Sequence, residues 1–236
     1  MPEPSGGTLP PTPDPAPWPA DMPPSPRCLP AACLLLLSSL ASADTHGPFP
    51  DADLDDWKER RFSGRTDYAL VQEEGLRVLR AHADDSASIL YRERTVDLTR
   101  TPVLEWSWKV DRVYTAIDER TKAGDDFPAR LYVVAKTGVL PWQTLALNYV
   151  WSASATPGER WPNPFTDKAA MIAVRSGSDE VGRWMHERRD VAADFLAAFG
   201  RRVERIAGYA VMVDGDNGGR EATAWFGDLR FLPAAP

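Results

Sequence analysis

A chain of 236 residues, 43% hydrophobic and with a formal charge of −7, is long enough to bury an adequate core without covalent staples. Its acidic balance argues against a nucleic-acid partner, because polyanion binding needs clustered Lys and Arg, and the doublets Arg188-Arg189 and Arg201-Arg202 have acids close by. Of 22 prolines, 14 lie in the first 50 residues, a shift in composition that separates a tail from a domain.

Residues 22–43, MPPSPRCLPAACLLLLSSLASA, have the layout of an export signal. Arg27 is a short basic n-region. Leu29 to Leu40 is the apolar stretch, too short to span a bilayer. Ala41-Ser42-Ala43 is an A-x-A cleavage site, so cleavage is expected between Ala43 and Asp44. The protein is then expected in the periplasm or secreted, with no integral membrane segment after processing. The Pro-rich stretch 1–21 resembles no n-region, and translation is expected to start at Met22. Residues 44–56 read as a flexible start and 57–232 as one β-sandwich domain. Both cysteines, Cys28 and Cys33, fall in the signal, so the mature part has no disulfide, thiolate nucleophile or Cys-ligated metal. It keeps 26 basic residues against 31 acids, a formal charge of −5.

Strict alternation dominates the rest. Further strands are expected at Leu76–Ala81 and Ser86–Arg92. In Val103–Val110, Leu104, Trp106, Trp108 and Val110 share one face, while Glu105, Ser107 and Lys109 share the other. Arg130–Lys136 follows, and then Thr144–Trp151, where Leu145, Leu147, Tyr149 and Trp151 face one way and Ala146, Asn148 and Val150 the other. Ala169–Arg175, Ile206–Val213 and Thr223–Phe231 complete the set. Short strands between Gly, Pro and Asp clusters imply a mainly all-β fold: a two-sheet antiparallel, jelly-roll-like sandwich. One short amphipathic helix interrupts it. Asp190 can cap it, Val191, Phe195, Leu196 and Phe199 form an apolar stripe, and Gly200 stands where a left-handed residue ends a helix. Such a helix should cover an open end or edge of the sandwich.

Four segments carry a family resemblance: Leu104-Glu105-Trp106-Ser107-Trp108-Lys109-Val110, Ala123-Gly124-Asp125-Asp126-Phe127-Pro128-Ala129-Arg130, Leu147-Asn148-Tyr149-Val150-Trp151-Ser152, and Val211-Met212-Val213-Asp214-Gly215-Asp216-Asn217. The chain from about Trp57 to Phe231 resembles the DUF3047 family, exported bacterial proteins with no established function. The resemblance implies a single domain and supplies no reaction and no catalytic residues. It departs at Gly215, where a threonine-like residue is expected, and this implies a looser loop. Ala224–Phe231 also looks like the last strand of jelly-roll carbohydrate-binding modules.

Asp125, Asp126 and Arg130 are the most site-like cluster. Adjacent carboxylates on a strand point to opposite faces, so one can pair with Arg130 while the other faces a ligand or cation. The competing reading is a turn with a structural ion pair. Asp214, Asp216 and Asn217 suggest a calcium loop, but Gly218 and Trp225 stand where an EF-hand needs ligands. The plainer reading is a hairpin between Ile206–Val213 and Thr223–Phe231. Trp106, Trp108 and Trp151 offer an aromatic platform for sugar rings if exposed and core packing if not. Asn148 is a polar residue inside an apolar strand, ready for a ligand or a satisfied buried network. His46, His82 and His186 lack metal-site spacing, Ser152 and Ser176 lack a G-x-S-x-G setting, and no phosphate loop occurs. No cofactor is expected, calcium being the one candidate.

The leading expectation is an exported envelope protein: a non-catalytic module binding a glycan or small polar ligand. A hydrolase or lyase acting on an envelope polysaccharide through Asp125, Asp126 and Arg130 is the alternative. A structural or interaction protein without a small ligand is the third reading.

Overall fold

The computed structural model describes Phe49, residues 53–138 and residues 143–235. The expected signal, the Ala43/Asp44 cleavage point and both cysteines lie outside the described residues. Among the described residues there are twelve strands: β1 (Lys58–Ser63), β2 (Asp67–Glu73), β3 (Leu76–Asp84), β4 (Ala87–Asp97), β5 (Val103–Val110), β6 (Arg130–Lys136), β7 (Thr144–Ser152), β8 (Arg160–Asn163), β9 (Thr166–Ser176), β10 (Met185–Asp190), β11 (Arg205–Asp214) and β12 (Glu221–Leu232). Among the described residues one α-helix, α1 (Val191–Phe199), follows β10, and a single 3₁₀ turn (Lys122–Gly124) precedes β6. The strands form a seven-stranded sheet, in the order β1-β4-β11-β6-β7-β9-β8, and a five-stranded sheet, β10-β5-β12-β3-β2. All eight strands expected from alternation exist. β1, β2, β8 and β10 are additional.

The sheets face each other across a core set by the period-two pattern. Leu104, Trp106, Trp108 and Val110 of β5 point inward, opposite Leu147, Tyr149 and Trp151 of β7. Trp106 lies 5.3 Å from Tyr149 and Trp108 5.9 Å from Trp151, ring centre to ring centre. Each buried indole removes about 200 Å² from water, worth at most about 5 kcal/mol of transfer free energy.

Two pairings depart from the plain antiparallel scheme. β9 runs parallel to β7. The chain leaves β7, passes one strand position to lay down β8 at the edge, and turns back into β9 between them. In addition, β11 and β12 do not form the expected hairpin. β11 pairs with β4 and β6, whereas β12 pairs with β3 and β5. The segment between them therefore crosses from one sheet to the other.

Helix α1 has the expected boundaries. The Asp190 carboxylate accepts from the Ala193 amide at 2.9 Å, and Gly200 takes the left-handed conformation at φ 62°. Val191 and Phe195 are buried, but Leu196, expected in the same stripe, is 49% exposed. Phe199 packs on the core's edge. The helix is pinned to the sandwich by Asp194, which accepts from the Tyr149 hydroxyl and from Arg189, both at 2.9 Å. It thus covers an end where β5, β7 and the edge strand β10 meet.

Candidate functional site

The loop ahead of β6, β6 itself, the end of β11 and the crossover behind it bring one ion cluster together. Arg130 opens β6 and points away from Leu131 and Val133, which enter the core. Its Nε donates to Asp214 Oδ1 at 2.7 Å, and a second guanidinium nitrogen donates to Asp214 Oδ2. Arg130 also donates to Asp125 Oδ2 at 3.3 Å and to the Asp125 carbonyl. Below it lies the Phe127 ring, 4.5 Å from the guanidinium carbon. The Phe127 amide donates to Asp214 Oδ1 at 3.3 Å. Asp126 turns the other way, as adjacent residues should. Its Oδ1 accepts from the Asn217 amide at 3.1 Å and from Asn217 Nδ2 at 3.0 Å.

This cluster is sealed. Arg130 is 2% exposed, Asp125 5%, Asp126 0% and Asp214 2%, so a polymer substrate has no route to the carboxylates. Burial raises the Asp214 carboxyl above its ordinary value, while the two hydrogen bonds from Arg130 work against that rise and favour the carboxylate form. Burial likewise raises Asp125 against Arg130, and raises Asp216 with help from the Asp126 charge. Burial opposes the Arg130 charge too, but Asp125 and Asp214 hold its pKa well above the ordinary value. Two carboxylate oxygens, Asp125 Oδ1 and Asp126 Oδ2, are buried with no hydrogen-bond partner. Asp216, on the crossover, is half-buried.

Gly215 has a structural reason that the family resemblance did not suggest. Its amide donates to the Ser86 carbonyl at 3.1 Å, and its own carbonyl accepts from the Arg220 amide at 2.8 Å. A Cβ there would stand 2.3 Å from the Arg220 carbonyl oxygen. Glycine tightens this loop by letting two backbone segments meet. The expected loosening is corrected.

Other expected site residues fall elsewhere. Asn148 is 1% exposed on the face of β7 that also carries Val150, and it stands opposite Tyr132 of β6. Tyr132 reaches Arg130 at 3.5 Å, but no hydrogen bond joins Asn148 to the cluster, and its Oδ1 is unpartnered. Trp106, Trp108 and Trp151 are at most 1% exposed between the sheets. Their inward direction makes them core packing, and this corrects the expected sugar platform.

Among the described residues, the half-buried indoles on the outside are Trp184 and Trp225. Trp225 belongs to the outer face of the five-stranded sheet, opposite Lys109 of β5 and Arg80 of β3. Trp184 sits just ahead of β10. Lys109 Nζ lies 4.8 Å from the Trp225 ring centre and 5.4 Å from that of Trp184. It donates to Glu73 at 2.5 Å and Glu74 at 3.1 Å. Burial works against this ammonium, yet the two glutamates raise its pKa above the ordinary value. The signal for Trp225 was present in the sequence: it is out of phase with Ala222, Ala224 and Phe226, which enter the core. Trp184 lies outside any alternating run and left no such signal.

Fold and site together define a two-sheet β-sandwich with a sealed ion cluster at a sheet crossover and an aromatic-cationic patch on its five-stranded face. The chain belongs to the DUF3047 family, described as a protein of unknown function, whose model matches residues 55–230. No curated protein matches the chain. Among solved structures, it is similar to the family 11 carbohydrate-binding module of the cellulosomal cellulase Lic26A-Cel5E of Clostridium thermocellum. That match has 7% identity and a TM-score of 0.43, over 82% of this chain and 97% of that one. A xyloglucanase domain of NopAA, a type three effector from Sinorhizobium fredii, in complex with cellobiose, aligns at 9% identity and a TM-score of 0.42, over 81% and 100%. The non-crystalline-cellulose-specific carbohydrate-binding module CBM28 aligns at 10% identity and a TM-score of 0.42, over 80% and 94%. Similarity of this degree tells nothing about ligand or reaction.

Proposed function

We propose that this protein is an exported, non-catalytic module that holds a glycan against Trp184 and Trp225. The observation that carries the reading is the pair of half-buried indoles around Lys109, at 5.4 and 4.8 Å. An indole face offers a flat apolar surface for the C–H face of a pyranose ring. Arg80, Glu73 and Glu74, with side chains 37%, 30% and 59% exposed, border it with donors and acceptors of the kind that fix hydroxyl groups, and the buried Lys109 holds the two glutamates in place. The non-catalytic part is supported by the sealing of Asp125, Asp126 and Asp214: carboxylates that act on a glycosidic bond must reach it. Export is supported by the n-region, apolar stretch and cleavage site of residues 22–43.

Native affinity electrophoresis through gels containing soluble neutral or acidic polysaccharides tests the reading. At least one polymer should retard the protein, Trp225→Ala and Trp184→Ala should abolish the retardation, and Asp125→Asn should leave it. Unchanged mobility in every polymer, or retardation that survives both tryptophan variants, overturns it. Release of reducing ends from a retarding polymer would restore the hydrolase alternative.

A further inference from the structure

We infer that Asp126, Asp214 and Asp216 form a binding site for one calcium ion at the start of the crossover from the seven-stranded to the five-stranded sheet. The three residues come from two separate segments, yet each offers a carboxylate oxygen within 4.8 Å of the others. Calcium–oxygen bonds are about 2.4 Å long, so two ligands on opposite sides of one ion lie about 5 Å apart. All three oxygens can therefore reach a common ion.

Three further features point to a cation there. Asp126 is fully buried, and its Oδ2 has no hydrogen-bond partner. Asn217 holds the other oxygen of that carboxylate through two bonds, so the free oxygen is fixed in place and not merely disordered. The nearest cation to it is Arg220 Nε at 3.9 Å, beyond hydrogen-bond reach. The second feature is the balance of side chains: four carboxyl groups, Asp125, Asp126, Asp214 and Asp216, meet two guanidinium groups, Arg130 and Arg220. A divalent ion would let the carboxyl groups left without a guanidinium stay ionised at this depth. The third is Asp214. Arg130 and the Phe127 amide occupy both lone pairs of Oδ1 and Arg130 occupies one of Oδ2, and a carboxylate has about four such sites, so its position is set while one site on Oδ2 remains.

The donor set selects the ion. It contains oxygen alone, with no histidine or thiolate, which suits a hard cation and not zinc. Magnesium keeps several waters in a tight octahedron, whereas calcium accepts irregular carboxylate and carbonyl ligands. A pocket whose carboxylates are 0% and 2% exposed has little room for retained waters. Half-buried Asp216 marks the side from which an ion enters. Bound there, calcium would tie the loop ahead of β6 to the crossover and so hold the two sheets in register at that end.

Thermal unfolding of the purified full chain in EDTA, in 2 mM CaCl₂ and in 2 mM MgCl₂, with calorimetric titration of calcium, tests this. Calcium should raise the melting temperature by several degrees over EDTA, and magnesium by much less. Asp216→Asn, which alters only the open side, and Asp126→Asn should each weaken calcium binding at least tenfold. Equal melting temperatures in EDTA and calcium, with no titration heat, overturn the site. An equal response to magnesium overturns the choice of ion. Full calcium binding by the folded Asp216→Asn protein overturns the assignment of ligands.

Discussion

Replacing Arg130 by methionine keeps most of the side-chain volume and removes the guanidinium. That group makes three bonds to the carboxylates of Asp125 and Asp214 and one to the Asp125 carbonyl, and it covers the Phe127 ring. Without it, two carboxylates that are 5% and 2% exposed lose their counter-charge. Breaking a buried ion pair in this way costs about 3–5 kcal/mol, a large fraction of the about 5–15 kcal/mol that stabilises an ordinary domain. At about 2–4 °C per kcal/mol for a domain of this size, the melting temperature should fall by about 6–20 °C. Adding Asp214→Asn to Arg130→Met should lose less than the sum of the single losses, because the second change removes the stranded charge. Equilibrium urea unfolding in EDTA, followed by tryptophan fluorescence, reads both. A loss below about 1 kcal/mol, the worth of an exposed pair, would refute the claim that the cluster is sealed and structural.

Trp108→Ala should cost about 3–5 kcal/mol in the same assay, because the ring is 0% exposed and its Nε1 donates to Glu187 at 3.1 Å. Retardation by any binding polysaccharide should survive, provided the variant is folded. Gly215→Thr should cost about 1–3 kcal/mol through forced backbone movement, since its Cβ meets the Arg220 carbonyl at 2.3 Å; an unchanged urea midpoint would contradict that contact. Burial raises the Glu119 carboxyl above 4.5, partly offset by bonds from the Ser152 hydroxyl and the Ala153 amide. A carboxyl raised on folding contributes stability that is complete below about pH 4.5 and lost as pH climbs through the folded value. Glu119→Gln should therefore flatten the decline in stability as pH rises above about 4.5, and equal pH slopes for the two proteins would contradict this.

The strands visible in the sequence are those that alternate because one face enters the core, as Leu104 to Val110 does in β5. The four missed strands explain themselves. β1 (KERRFS) and β10 (MHERRD) are edge strands with few apolar residues, formed because a neighbour offers its backbone bonds. β8 contains Pro162 and is also an edge strand, the position where a missing N–H is tolerated. β2 is apolar at Tyr68, Ala69, Leu70 and Val71 in succession, so period two is hidden. The ion cluster was half legible. Charged and polar groups beside apolar strands need partners, an argument that groups Asp125, Asp126, Arg130, Asn148 and Asp214, and of these Asp125, Arg130 and Asp214 are joined directly. Asn148 obeys the same logic but stays outside, because its place on β7 sets it against Tyr132, two residue pairs away from Arg130. The direction of the crossover after Asp214 was not legible, since Asp, Asn and Gly favour a hairpin and a sheet-to-sheet link alike.

The central claim is that a glycan rests on Trp184 and Trp225 and not on the core tryptophans. Each indole N–H gives its own signal in a two-dimensional ¹H–¹⁵N spectrum, assignable by single substitutions. During titration with an oligosaccharide cut from a retarding polymer, the account predicts that the Trp184 and Trp225 signals shift while those of Trp106, Trp108 and Trp151 stay in place. Saturating shifts confined to other residues, with Trp184 and Trp225 unmoved, would contradict it.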